Sequence, residues 1–117
     1  MRVIFVCYPR CGTCQKAKRF LDERNVSYEE RLIHVENPTK EELRAWVQAS
    51  GKPLKKFFNT SGGNYKELQL SKRLPEMSEE EQLDLLASDG MLVKRPILLT
   101  GEQVLVGFRE EEYQALF

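Results

Sequence analysis

An α/β fold, a mixed sheet with flanking helices, follows from three observations. The apolar run Val3-Ile4-Phe5-Val6 passes through Cys7-Tyr8-Pro9-Arg10-Cys11-Gly12-Thr13-Cys14 into a basic amphipathic run, Gln15 to Arg24. A buried strand there hands over to a helix. Val26 to Ile33 then alternates loosely and reads as a second strand, so that a strand–helix–strand unit with a right-handed crossover sets two strands parallel. Near the end, Ile97-Leu98-Leu99-Thr100, the turn Gly101-Glu102 and Gln103 to Gly107 spell a hairpin.

The elements follow in order. Residues 2–7 form the first strand. The first helix places Cys14, Ala17, Phe20 and Leu21 on one face, at spacings of three and four, and ends at Arg24-Asn25. In the second strand Val26, Tyr28 and Leu32 are in phase. His34 to Pro38 is a loop whose lone histidine has no visible partner and reads as exposed. Thr39-Lys40-Glu41-Glu42 is a capping box, opening a helix with Leu43, Trp46 and Val47 inward and a stop near Gly51. Pro53 to Phe58 is short, apolar and basic, and Asn59-Thr60-Ser61-Gly62-Gly63-Asn64 is the most loop-like stretch. That loop is either an ordinary connection or a source of backbone N–H groups for an oxyanion. Tyr65 to Leu70 is a short helical piece. Ser78-Glu79-Glu80-Glu81 is a second capping box, for a helix carrying Leu83, Leu86 and Ala87 and ending at Asp89-Gly90. After the hairpin, Glu110 to Phe117 closes the chain as a helix with Tyr113, Leu116 and Phe117 inward.

Length and charge bound the function. The 117 residues suffice for one domain, 1–117, with a helical insert at about 39–90. With 18 basic and 18 acidic residues, the chain lacks the basic excess of a nucleic-acid or membrane binder. No stretch is long and apolar enough for a bilayer, and the N-terminal run is too short for a signal peptide. Three cysteines without an export signal fit a reducing compartment, the cytoplasm.

The chemistry lies in Cys11 and Cys14. At a helix start, unpaired backbone N–H groups and the positive end of the helix dipole favour an anion, here the reactive thiolate. A second thiol one turn on can close a disulfide. Strand, CxxC and helix together read as a thioredoxin-like redox motif. Pro9 stiffens the approach, and Gly12 lets the backbone come close to whatever Cys11 attacks. A zinc site would need Cys7, Cys11, Cys14 and His34, but Cys7 ends a strand, His34 is distant and no second CxxC exists. No metal or bound cofactor is expected. The plain alternative, that the cysteines are only small buried apolar residues, suits Cys7 best, because it continues the strand. The order β-α-β, helical insert, β-β-α, with Pro96 opening the third strand, completes a thioredoxin-like pattern in which that proline is typically cis.

These residues resemble the arsenate reductase (ArsC) family and its Spx branch over essentially the whole chain. The resemblance rests on Tyr8 to Cys14, on Phe57-Phe58-Asn59-Thr60-Ser61-Gly62 with Tyr65-Lys66-Glu67-Leu68, on Lys94-Arg95-Pro96-Ile97, and on Val106-Gly107-Phe108-Arg109-Glu110-Glu111. It implies Cys11 as the nucleophile, Cys14 as the resolving thiol and Arg95, before the cis-proline, as an oxyanion clamp with the backbone N–H groups of Gly12 and Thr13. It also implies an external reductant, glutathione with glutaredoxin, or thioredoxin, and a monomer. Three departures bear on activity. True arsenate reductases carry another arginine where this chain has Asn59. They carry one in the final hairpin region, where Arg109 is the candidate here. Cys14 stands where glutaredoxin-dependent reductases commonly have serine, which resembles the Spx regulators, whose CxxC switches binding to RNA polymerase. The resemblance thus implies an arsenate reductase-like thiol oxidoreductase or, alternatively, a redox-switched transcriptional regulator.

Overall fold

The computed structural model describes residues 2–117. Four strands, β1 (Val3–Cys7), β2 (Glu29–Leu32), β3 (Ile97–Thr100) and β4 (Gln103–Val106), form one sheet in the order β2-β1-β3-β4. β1 pairs parallel with β2, while β3 runs antiparallel to both β1 and β4. Helix α1 (Gly12–Glu23) connects β1 to β2, and α6 (Glu110–Leu116) follows β4. Between β2 and β3 lie α2 (Lys40–Ser50), α3 (Gly63–Glu67), α4 (Leu70–Arg73) and α5 (Glu79–Ser88), with 3-10 turns at Leu54–Phe57, Leu74–Glu76 and Gly90–Leu92. The mixed sheet with flanking helices is the thioredoxin-like arrangement that the order of elements predicts.

β1 is apolar throughout because both of its faces are covered. Val3, Phe5 and Cys7 pack with Cys14, Ala17, Phe20 and Leu21 of α1 and with Tyr113 of α6. Val6 and Ile4 pack on the other side, among Leu43, Trp46, Phe57, Leu70 and Leu86 of the insert. The sheet therefore separates two cores. One holds the buried cysteines, and the other holds the insert.

Both capping boxes are present, Thr39 with Glu42 and Ser78 with Glu81, and α2 stops at Gly51 in the left-handed conformation. Several details differ from the sequence reading. β2 starts at Glu29, not Val26, because Asn25 turns left-handed and the Val26 amide is spent on the Leu21 carbonyl at 3.0 Å. The helical piece at Tyr65–Leu70 is two helices, α3 and α4, broken at left-handed Gln69, and the break delivers Leu70 wholly into the insert core. β4 ends at Val106, since Gly107 (φ 76°) leaves the extended region and its amide donates to the Pro96 carbonyl. Of the three inward residues read for α6, only Tyr113 is fully buried.

An ion pair fastens the insert to the sheet edge. Arg31 of β2 donates from both terminal nitrogens to the Glu42 carboxylate, at 2.7 and 2.9 Å. Arg31, helped by the Thr39 amide, holds the Glu42 carboxyl down at about 2. Its folded-state pKa is depressed, so the stabilisation is present above the ordinary carboxylate range and is lost as pH falls toward 2. Glu42→Gln should cost about 1 kcal/mol at neutral pH, less than a fully buried charged pair because water screens the carboxylate. The difference from the native chain should shrink in acid. Urea titrations at pH 7 and pH 3 measure both.

Candidate functional site

The turn Tyr8-Pro9-Arg10-Cys11 is closed by the Cys11 amide on the Tyr8 carbonyl at 3.0 Å, and Gln15 Nε2 pins it by donating to the Pro9 carbonyl at 3.1 Å. Cys11 is the N-cap of α1, in extended conformation, and no acidic residue in the first turn neutralises the positive end of the helix. Cys11 is half-exposed, Cys14 and Cys7 are buried, and all three are free thiols.

Their environments pull the three thiols apart. Burial pushes Cys11 up, but the Cys14 amide, the Cys14 thiol, the Thr13 amide and the Arg95 charge outweigh it and hold Cys11 below the ordinary thiol value. The amides acting on this sulfur are those of Cys14 and Thr13, so Cys14 contributes both a backbone and a side-chain donor. Burial pushes Cys14 up to about 12, with the neighbouring charges of Cys11 and Cys7 adding to it and the Tyr8 amide, 3.4 Å from Cys14 Sγ, opposing it. Burial and the Glu30 charge push Cys7 up to about 11. Cys7 and Cys14 share a cavity of about 240 Å³, bordered by Phe5, Tyr8, Lys18 and Glu30, on the inner side of the turn.

Cys11 is therefore the first of the three thiols to ionise as pH rises. Iodoacetamide should label Cys11 first, at a rate that rises with pH through a midpoint below the ordinary thiol value, while Cys14 and Cys7 stay unlabelled until well above pH 9. Peptide mapping by mass after partial alkylation measures the order, and prior labelling of Cys7 would refute it.

A short antiparallel contact brings the second half of the site alongside. Phe58 bridges Val93, the Asn59 amide donates to the Leu92 carbonyl at 2.8 Å and the Lys94 amide to the Phe57 carbonyl at 2.7 Å. This sets Asn59 beside the segment from Met91 to Arg95. The Asn59 Nδ2 and the Arg95 Nη1 both donate to the Met91 carbonyl, at 3.3 and 3.4 Å. The Arg95 guanidinium carbon lies 5.0 Å from the centre of the Tyr8 ring, and its buried Nε has no partner. An arginine held by a stacking ring and one long hydrogen bond keeps donors to offer an incoming acceptor. The Arg95–Pro96 peptide is cis.

The structure thus gathers Cys11, Cys14, Thr13 and Arg95 around one sulfur, with Gly12 in the same helix turn and Asn59 joined to Arg95 through Met91. Arg109 is the exposed N-cap of α6, and among the described residues no hydrogen bond or ion pair ties it to Cys11, Asn59 or Arg95. His34 is exposed and meets the Tyr8 ring edge-on at 5.0 Å. Among the described residues no three His, Cys, Asp or Glu side chains cluster to hold a metal ion, and no helix is long and apolar enough to cross a membrane. Sequence reasoning missed Tyr8 as a platform between Arg95 and His34, and the Met91 carbonyl as the anchor for Asn59 and Arg95. An aromatic next to the CxxC was a signal for the first. A backbone carbonyl in an irregular segment leaves none for the second.

Comparison with known proteins gives the chain a family. The model of the ArsC family matches residues 7–116. Protein YusI of Bacillus subtilis (strain 168) is 54% identical over 97% of this chain and 97% of its own length. The regulatory protein MgsR of the same organism is 30% identical over 95% of this chain and 86% of its own. The global transcriptional regulator Spx 2 of Bacillus cereus is 27% identical over 94% and 82%. The crystal structure of an ArsC family related protein from Bacteroides fragilis matches with a TM-score of 0.97 at 58% identity, covering 100% of this chain and 98% of that one. With the family's pattern running through nearly every element, from the end of β1 to the end of α6, the chain belongs to the ArsC family.

Proposed function

We propose that this chain is a thiol-dependent oxidoreductase in which Cys11 attacks and Cys14 resolves. The observation that carries the reading is the division among the thiols. Cys11 is held toward the thiolate at a helix start, and Cys14, one turn along, is held as a thiol. The Cys11 thiolate attacks one sulfur of a disulfide, forming a mixed disulfide and expelling the other sulfur as a thiolate. The Cys11 charge is then gone, and with it part of what pushed Cys14 up. Cys14 gives its proton to the expelled thiolate and attacks Cys11 Sγ, releasing the second half of the substrate as a thiolate. The substrate has gained two electrons, and the protein holds a Cys11–Cys14 disulfide. A dithiol reductant of the glutaredoxin or thioredoxin class, or glutathione, returns it to the dithiol. The Tyr8 amide, already on Cys14 Sγ, steadies the charge this sulfur carries once it has given up its proton and before it attacks.

Turnover of a small disulfide, followed by mass mapping of the oxidised chain, tests this. One bridge between Cys11 and Cys14 with Cys7 free supports the assignment, and a Cys7–Cys11 bridge refutes it.

Arsenate should be a poor substrate even where disulfide exchange is active. An arsenate dianion beside a thiolate needs fixed cations, and Asn59 supplies none; its amide is also occupied by the Met91 carbonyl. One missing charge-assisted contact costs about 1.5–3 kcal/mol, roughly ten- to hundredfold in rate if it acts in the transition state. Both activities, measured in the native chain and in Asn59→Arg, check this. Efficient native arsenate turnover that Asn59→Arg leaves unchanged would refute the charge argument.

The second reading, a redox-switched regulator that binds RNA polymerase, is favoured by Cys14 itself and by the likeness to proteins named as regulators. It uses the same disulfide without turnover. Stable binding of purified RNA polymerase that follows the redox state of Cys11, together with no disulfide turnover, would select it.

A further inference from the structure

The insert carries a cavity of about 620 Å³ that none of the three cysteines lines. Its cations are Lys55, Lys56 and Lys94, and no carboxylate lines it. Among the described residues these lysines form no ion pair, whereas Lys18, Lys40 and Lys52 each have an acidic partner. Three ammonium groups around one cavity repel each other, and an anion placed among them relieves that repulsion. The main chain of Lys94 is held in place. Its amide donates to the Phe57 carbonyl at 2.7 Å.

The rest of the lining is graded by burial. Phe58 is buried, Tyr65 and Leu74 are half-buried, and the lysines are exposed, which gives an apolar floor beneath a cationic rim. The Phe58 and Tyr65 rings meet edge-on at 6.4 Å. Thr60 and Ser71 add hydroxyls. Gln82 donates its amide to the Leu74 and Met77 carbonyls, so what it has left to offer a ligand is its acceptor oxygen. A ligand suited to this lining has a flat apolar body, a hydrogen-bond donor on it and a multiply charged anionic end. Its size falls within the roughly 300–1,000 Å³ usual for small-molecule sites.

We propose that this cavity binds a nucleoside diphosphate, with the base on Tyr65, Leu74 and Pro75 and the phosphates among Lys55, Lys56 and Lys94. A diphosphate carries roughly two to three negative charges at neutral pH, a match for the lysines. Lysine holds phosphate as a point charge, so the rim needs no bidentate geometry. The site is separate from the thiols and holds whatever their chemistry proves to be.

Amide NMR titrations of the full chain with ADP, adenosine and inorganic phosphate test it. ADP should shift the amides of Thr60, Tyr65, Ser71 and Gln82. Adenosine and phosphate should each bind at least tenfold more weakly, because each lacks half of the recognised chemistry. Lys55→Gln and Lys94→Gln should each weaken ADP binding about three- to tenfold and leave the alkylation rate of Cys11 unchanged. The proposal is overturned if millimolar ADP shifts none of these amides, if adenosine or phosphate binds as tightly as ADP, or if the lysine variants bind ADP like the native chain.

Discussion

Cys11→Ser should lower disulfide turnover by at least about a thousandfold, because a serine hydroxyl stays protonated where the thiol ionises. The stabilising groups remain in the variant. The Thr13 and Cys14 amides and Arg95 still face the position, but they have no thiolate to stabilise. Binding of substrate should change little, so the loss should fall on kcat. Cys14→Ser should behave differently. Attack by Cys11 proceeds, resolution does not, and the chain accumulates as a mixed disulfide that mass spectrometry detects. Equal residual turnover in the two variants would show that the thiols do not divide the work, and a Cys11→Ser variant near native activity would remove Cys11 from the chemistry altogether.

Gly90→Ala should be the most disruptive single methyl outside the site. A Cβ there would overlap the Ile33 carbonyl oxygen and come within 2.5 Å of Asn37 Oδ1. The backbone of Ile33 cannot yield, since its amide is bonded to the Cys7 carbonyl at 2.9 Å and its side chain is wholly buried. Overpacking of this kind costs about 1–3 kcal/mol, toward the upper end where the obstacle is main chain. The damage should also reach the site, because the next residue is Met91, whose carbonyl holds both Asn59 and Arg95. Losing Arg95 from its place should raise the pH midpoint of Cys11 alkylation. Gly63→Ala is the control. Nothing lies within 4 Å of that position, and a methyl at the start of α3 should be neutral or mildly stabilising. Urea unfolding of both variants settles the comparison, and Gly90→Ala as stable as Gly63→Ala would refute the steric argument.

What could be read before the structure was whatever periodicity and local chemistry encode. β1, α1, both capping boxes and the β3–β4 hairpin were legible because each has a strong local pattern. Cys11 and Cys14 were legible because a helix start carries its own electrostatics. The role of Gly90 was not. With Asp89 it read only as the end of α5, yet its conformation is not the left-handed one of a glycine stop, and what requires a glycine is the Ile33 main chain, remote in sequence, pressing on it. The split between α3 and α4 was hidden for a related reason. The strain at Gln69 is offset by burying Leu70, which is a property of the assembled core and not of the segment. In the site, Asn59 and Arg95 were each visible, but their meeting at Met91 depends on the Phe58–Val93 bridge, which no local signal announces.

The alternation of side chains along β1 has a consequence for descent. Neighbouring residues of one strand answer to different cores, Phe5 and Cys7 to the layer of the thiols and Ile4 and Val6 to the layer of the insert. A change of volume in one layer meets a wall of hydrogen-bonded backbone before it meets the other. The sheet is in effect a bulkhead. Away from Asn59 and Met91, a lineage can rebuild the insert residue by residue, acquiring or losing a pocket or a partner there, while the packing around the three cysteines on the far side is inherited untouched.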